Sequence, residues 1–157
     1  MIELPQDFRD VLVELADAGA AFVVIGGYAV AFHGHVRATK DIDILVKPSA
    51  DNAARVFRAL AAFGAPLDAF KIRPEDLAEP GPFLTLGSPP FRIDVLTTIP
   101  GVSFDDASEN CGVFTVDGRR VPVIGLDALI KNKRASGRPQ DIADATVLES
   151  GSASHGR

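Results

Sequence analysis

Apolar residues recur along the chain with two spacings, and these divide it into helices and strands. From Leu4 to Ala18, the positions Phe8, Val11, Leu12, Leu15 and Ala18 follow helical spacing, with Pro5 suited to a first turn and Gly19 to a stop. Ala21 to Ile25 is a short apolar strand closed by Gly26-Gly27, and Tyr28 to Phe32 reads as a short helix ending near Gly34. Asp41 to Val46 alternates as a second strand. Pro48-Ser49 marks a turn, Ser49 suits an N-cap, and a helix runs to about Phe63 with Val56, Leu60 and Phe63 inside. Leu67 to Ile72 is expected as a strand, and Pro74 to Pro82 as a loop or short helical turn. Phe83–Leu86 and Phe91–Thr97 are strands joined through Gly87-Ser88-Pro89-Pro90. Gly112–Val116 and Arg119–Val123 form a hairpin around Asp117-Gly118. Leu126–Ala135 and Pro139–Leu148 are helices separated at Ser136-Gly137. Helices and strands mix without regular βαβ alternation. The predicted fold is α/β (α+β), with a mixed β-sheet and helices packed mainly on one face. One domain is expected over residues 1–150, followed by a disordered tail over 151–157.

Composition narrows the class. A 157-residue chain with 46% hydrophobic and 24% charged residues is an ordinary globular composition, which excludes a disordered chain, a collagen-like repeat and a coiled coil. Gly or charge breaks the apolar runs well short of a membrane span, and MIELPQDFRD lacks the regions of a signal peptide. Cys111 is the single cysteine, which leaves no internal disulfide and no cysteine-built zinc site. The expectation is a cytoplasmic protein with no membrane partner. The formal charge of −5 argues against broad non-specific nucleic-acid binding. A local basic patch nevertheless gathers Lys131, Lys133, Arg134 and Arg138.

The candidate chemistry lies on the acidic strands. In Asp41–Val46, Ile42, Ile44 and Val46 share one face, and Asp41, Asp43 and Leu45 the other. FRIDVL repeats the pattern: Phe91, Ile93 and Val95 point one way, and Arg92, Asp94 and Leu96 the other. Carboxylates on an otherwise apolar strand cost desolvation energy unless a cation joins them. Asp41 and Asp43, about 6.5 Å apart along the strand, can bracket a cation. If the two strands are neighbours in register, Asp94 lies beside Asp43. Three acids would then support two metals about 3.5–4 Å apart, an arrangement used in phosphoryl-type transfer. Mg²⁺ suits such a site, since it takes few carboxylates and fills its shell with phosphate oxygens; Mn²⁺ is the alternative. An isolated D-x-D is more often a solvated strand start or a turn cap, and the third acid and the upstream Gly-Gly weaken that reading here.

Gly26 and Gly27 lack Cβ atoms, so their backbone can approach a phosphate closely, though a tight turn without a ligand explains them too. They match neither G-x-G-x-x-G nor a P-loop. Arg37, Thr39 and Lys40 precede the acids; Arg37 suits a carboxylate or a phosphate, and Lys40 the solvated surface. His33 and His35 lack the further ligands of a zinc site, and His33 is expected to pack or hydrogen-bond against the turn. Lys131 and Arg134 stand one helical turn apart and suit either phosphate neutralisation or a solvated surface.

The Gly-Gly turn, the short helix, Thr39-x-Asp41-x-Asp43 and the later Asp94 together resemble the nucleotidyltransferase superfamily with the polymerase-β-like core. Small bacterial and archaeal members, including abortive-infection toxin-type enzymes, are the most similar in pattern. The ending LIKNKRASGRPQDIADATVL also resembles relatives that carry Lys-x-x-Arg followed by Arg-Pro-Lys-Asp, here Lys131, Arg134, Arg138, Pro139 and Asp141. The resemblance covers about Val23 to Leu148. It implies a nucleotidyltransferase fold in which Asp41, Asp43 and Asp94 bind Mg²⁺ and act in catalysis, with Asp94 as base for the attacking hydroxyl. It implies nucleotide contacts from Gly26, Gly27, Arg37, Thr39, Lys131, Arg134 and Arg138. Gly27 stands where Ser is frequent, and Gln140 where Lys is common. The implied reaction moves a nucleoside monophosphate from an NTP donor to an acceptor hydroxyl and releases pyrophosphate. The acceptor, whether protein, tRNA or small molecule, is left open. An alternative is a non-catalytic or partner-dependent nucleotide-binding module, such as a component of a toxin–antitoxin pair, with an antitoxin or a homodimer partner. A metal-dependent phosphohydrolase or nuclease would use the same acids.

Overall fold

The computed structural model of the protein describes residues 3–81, 83–87 and 89–155. Pro82 and Ser88, expected in loops, lie outside the described residues, as do Gly156 and Arg157 of the expected tail. The strands are β1 (Phe22–Ile25), β2 (Asp41–Val46), β3 (Phe83–Leu86), β4 (Arg92–Leu96), β5 (Gly112–Val116) and β6 (Arg119–Val123). The helices are α1 (Gln6–Asp17), α2 (Gly26–Phe32), α3 (Ala50–Phe63), α4 (Phe104–Ser108), α5 (Leu126–Ser136) and α6 (Pro139–His155), with a 3-10 helix at Pro74–Ala78.

The six strands form one mixed sheet in the order β3-β4-β2-β1-β6-β5. Pairings β2·β4 and β1·β6 are parallel, and the other three are antiparallel. All four residues of β1 are buried, so the sheet is covered on both faces at its centre. Alternation on β2 buries Ile42, Ile44 and Val46 completely, while Asp41 and Asp43 stay partly open on the other face. Further along that face Leu45 is again buried, which confines the polar opening to the start of the strand.

Local chemistry fixes the connections. The Ser49 Oγ accepts from the Asn52 backbone N–H at 3.4 Å and caps α3. The buried Asn52 amide donates to the carbonyls of Ala21 (2.9 Å) and Lys47 (3.0 Å) and accepts from the Ala21 N–H (2.6 Å). One satisfied side chain thereby stitches the start of β1 to the end of β2. At the tip of the β5–β6 hairpin, Asp117 and Gly118 both have positive φ (49° and 82°), as the two-residue turn requires.

The structure differs from the sequence reading in several places. Leu67–Ile72 is not a strand; its backbone closes local turns, with the Ile72 N–H donating to the Leu67 carbonyl at 2.9 Å, and Phe70 is exposed. Phe91 precedes β4 rather than lining its apolar face, and it too is exposed. Helix α4 was not foreseen, although Ser103 accepts from the Asp106 N–H at 3.1 Å in an ordinary N-cap. Helix α6 also continues past Leu148 to His155. Among the described residues, no helix is long and apolar enough to cross a membrane.

Candidate active site

The parallel register of β2 and β4 sets Asp43 directly beside Asp94. On the far side of β4, Thr85 pairs with Asp94 in the ladder, and its hydroxyl donates to Asp94 Oδ1 at 2.8 Å. On the near side of β2, Ile25 faces Asp43, so the chain leaves β1 at Gly26 immediately over that carboxylate. Gly26 has φ +68°, and a Cβ there would lie 2.1 Å from Asp43 Oδ2. A Cβ on Gly27 would lie 2.8 Å from Thr39 Oγ1. Both glycines are thus required by close approach, the first also by its backbone conformation. The Thr39 hydroxyl donates to the Asp41 carbonyl at 3.2 Å and holds the approach to β2.

These residues open onto a cleft of about 350 Å³. Gly27, Thr39, Asp41, Asp43 and Asp94 line its sheet side; Arg37, Lys133, Arg138, Gln140 and Asp141 line the rest. Burial, then the hydrogen bond and charge of Asp94, then the charge of Asp41, push the Asp43 carboxyl up to about 7; Lys133 acts in the opposite direction. For Asp43, burial and the two neighbouring acids therefore outweigh the pull of Lys133. Asp41 lines the same cleft but turns toward Arg92, whose Nε lies 3.7 Å away. Among the described residues, no three acidic, histidine or cysteine side chains already converge in metal-ligand geometry. Asp43 and Asp94 are the meeting pair, and Asp41 is the adjacent third.

Opposite this pair lies a buried charge network. Lys133, on α5, places its Nζ 3.2 Å from Asp141 and 3.4 Å from Asp144 of α6. Asp144 is fully buried and accepts from Arg37 Nε (3.1 Å) and NH2 (2.9 Å), and from Gln140 at 3.0 Å. Asp141 accepts from Arg138 Nε (2.7 Å) and the Ser136 hydroxyl (2.8 Å). Burial would raise the Asp141 carboxyl, but the hydrogen bonds from Arg138, Ser136 and Lys133 prevail and hold it at about 2. Asp144 is likewise held below the usual range, its Arg37 and Gln140 bonds outweighing burial.

The sequence-predicted residues separate accordingly. Gly27, Arg37, Thr39, Asp41, Asp43, Asp94 and Arg138 line one cleft, with Gly26 packed against Asp43. Lys131 and Arg134 do not line it; both are exposed on α5, and Arg134 donates to Glu149 at 2.6 Å. The cation that α5 sends inward is Lys133, which lies with Leu129 on the buried stripe. Asp144 was also missed. It shares the buried stripe of α6 with Asp141, Ala145 and Leu148, and two acids on an apolar stripe were the readable signal. His33 packs as expected, its Nε2 donating to the Ile124 carbonyl at 2.7 Å.

A family model for aminoglycoside-2''-adenylyltransferase matches residues 7–148. The curated protein sequences contain no match. A candidate nucleotidyltransferase from Thermotoga maritima is similar in structure at 17% identity, with TM-score 0.54 and 94% of each chain covered. The antibiotic-resistance factor ANT(2'')-Ia in solution is similar at 14% identity and TM-score 0.57, over 94% of this chain and 82% of that one. The crystal structure of ANT(2'')-Ia in complex with adenylyl-2''-tobramycin gives 13% identity and TM-score 0.55, over 94% and 86%. At these identities, the structural likeness is one of fold.

Proposed function

The chain belongs to the aminoglycoside-2''-adenylyltransferase family and is a nucleotidyltransferase, and from that premise we propose that it moves a nucleoside monophosphate from a magnesium-bound NTP to a hydroxyl of a small-molecule acceptor, releasing pyrophosphate. The observation that carries this reading is the Asp43–Asp94 register beneath Gly26. Two adjoining carboxylates, one of them pushed up by burial and by its acidic neighbours, with a third on the strand of Asp43, fit a divalent cation. Asp43 and Asp94 would hold it, joined by Asp41 once that side chain leaves Arg92. The ion, when bound, neutralises phosphate charge and makes the attacking hydroxyl more acidic.

The chain's own residues supply position and charge. Gly26 and Gly27 leave room for a phosphate against the backbone. Arg37, Lys133 and Arg138 bring three cations to the cleft wall against four lining carboxylates, so an anionic triphosphate needs the divalent ion to enter. Asp94, which accepts from the Thr85 hydroxyl, would receive the proton of the acceptor hydroxyl. Catalysis is then chiefly orientation and charge neutralisation.

The test is incubation with α-labelled ATP, Mg²⁺ and a panel of hydroxyl compounds. The reading expects pyrophosphate release coupled to a labelled adduct. ATP hydrolysed to free AMP with every acceptor would point instead to a phosphohydrolase, and an absence of Mg²⁺-dependent ATP binding would overturn the donor site.

A further inference from the structure

Next to the acidic cleft lies a larger groove of about 1080 Å³, and Arg37 and Thr39 line both. Its walls come from α2 and the β5–β6 hairpin: Tyr28, Phe32 and Phe114, with Val36 at the rim. The Phe32 and Phe114 rings meet with centroids 6.3 Å apart, and Val36 is 81% exposed at the rim. Gly112 permits this packing, because a Cβ there would lie 2.4 Å from the Phe32 ring.

The charges of the groove cancel within the protein. Arg9 pairs with Asp117, and Arg37 is bonded to Asp144. Glu3 is the remaining carboxylate of the lining. A polycation such as an aminoglycoside is recognised through several carboxylates facing its ammonium groups, and one acid among aromatic walls does not provide that. The volume lies just above the roughly 300–1,000 Å³ of small-molecule sites, and a nucleobase alone would leave most of it empty.

Resting on the donor reading above, we propose that this groove seats the acceptor, and that the acceptor is a multi-ring, hydroxyl-bearing compound with an apolar face and little or no net charge. Its rings would lie against Phe32 and Phe114, and a hydroxyl would pass Thr39 to reach the phosphate held at Asp43 and Asp94. Transfer forms an oxygen–phosphorus bond at that hydroxyl and breaks the α,β-phosphoanhydride. Pyrophosphate carries away the bonding pair, and the hydroxyl proton goes to Asp94.

Calorimetric or NMR titration of the full chain with naringin (an uncharged aromatic glycoside) and with tobramycin, each with and without Mg²⁺ and a non-hydrolysable ATP analogue, tests the proposal. Naringin should bind at least about tenfold more tightly than tobramycin. Phe114→Asp, and Val36→Asp at the exposed rim where folding is not at risk, should each weaken naringin at least about tenfold and leave the affinity for the ATP analogue unchanged. Tighter tobramycin binding, absent naringin binding, or naringin binding indifferent to both substitutions would overturn the proposal. So would a loss of ATP-analogue affinity in these variants, which would make the groove the nucleobase site. Naringin binding with no ATP-analogue binding to the wild type would instead sink the donor reading and leave the groove's chemistry standing.

Discussion

Asp43 on β2 and Asp141 on α6 line the same cleft, both withdrawn from water, yet one carboxyl is pushed up to about 7 and the other is held at about 2. The difference lies in their neighbours. Asp141 has Arg138, Ser136 and Lys133 within hydrogen-bond reach. Asp43 has Asp94 and, nearby, Asp41. Acids whose charge the protein neutralises itself hold helices together. Acids that meet one another on adjoining strands without such bonds carry the cost of burial and repulsion, which in the proposed reading a divalent cation would relieve.

The sharpest way to break this contrast is to neutralise one side at a time. Asp43→Asn or Asp94→Asn should lower transfer by about 10³-fold or more, since several kcal/mol of charge stabilisation would depend on the proposed ion. Asp43→Asn should also raise the melting temperature of the metal-free protein at pH 8, because it removes a penalised charge. A lower melting temperature in circular-dichroism melts would show that Asp43 is structural. Asp144→Ala should do the reverse, destabilising the fold by about 3–5 kcal/mol by leaving Arg37 without its buried partner and Lys133 with Asp141 alone. A denaturant midpoint within error of wild type would remove the network from the account.

The pH dependence separates the two sides further. Asp141, depressed from 3.8 to about 2, contributes stability that is fully present above about pH 4 and is lost as pH falls toward 2. Asp43, raised from 3.8 to about 7, acts with the opposite sign: the stability present below about pH 4 is lost as pH rises through 7. Mg²⁺ should therefore raise the melting temperature at pH 8 and have little effect at pH 5; equal shifts at both would contradict the site. The smallest effects belong to Lys131→Ala and Arg134→Ala, which should change stability by less than about 0.5 kcal/mol and turnover by less than about threefold. A tenfold loss of turnover in either would return the exposed face of α5 to the nucleotide site.

The sheet was legible where its signals were local. Strict alternation gave β2 its ends, the Asp-Gly turn gave the hairpin, and the matched patterns around Asp43 and Asp94 anticipated their register. Helix rotation was harder. Spacing alone shows that Lys131 and Arg134 share a face of α5, but which face turns inward depends on α6, α2 and α4, which pack against it. The inward side carries Leu129 and Lys133, and the lysine is tolerated there because Asp141 and Asp144 arrive from another element. Leu67–Ile72 misled for a related reason: apolar residues describe a strand only if an edge is available to receive it, and this segment bonds to itself.

The bond from Arg37 to Asp144 joins residues 107 positions apart. On a ribosome, the first of them emerges long before the second, and until α6 follows, Arg37 has no fixed partner beside the acids of β2. The sheet side of the cleft is therefore made before the network that faces it, so a nascent or prematurely ended chain would carry Asp41, Asp43 and Asp94 without Asp141, Asp144 or a fixed Arg37.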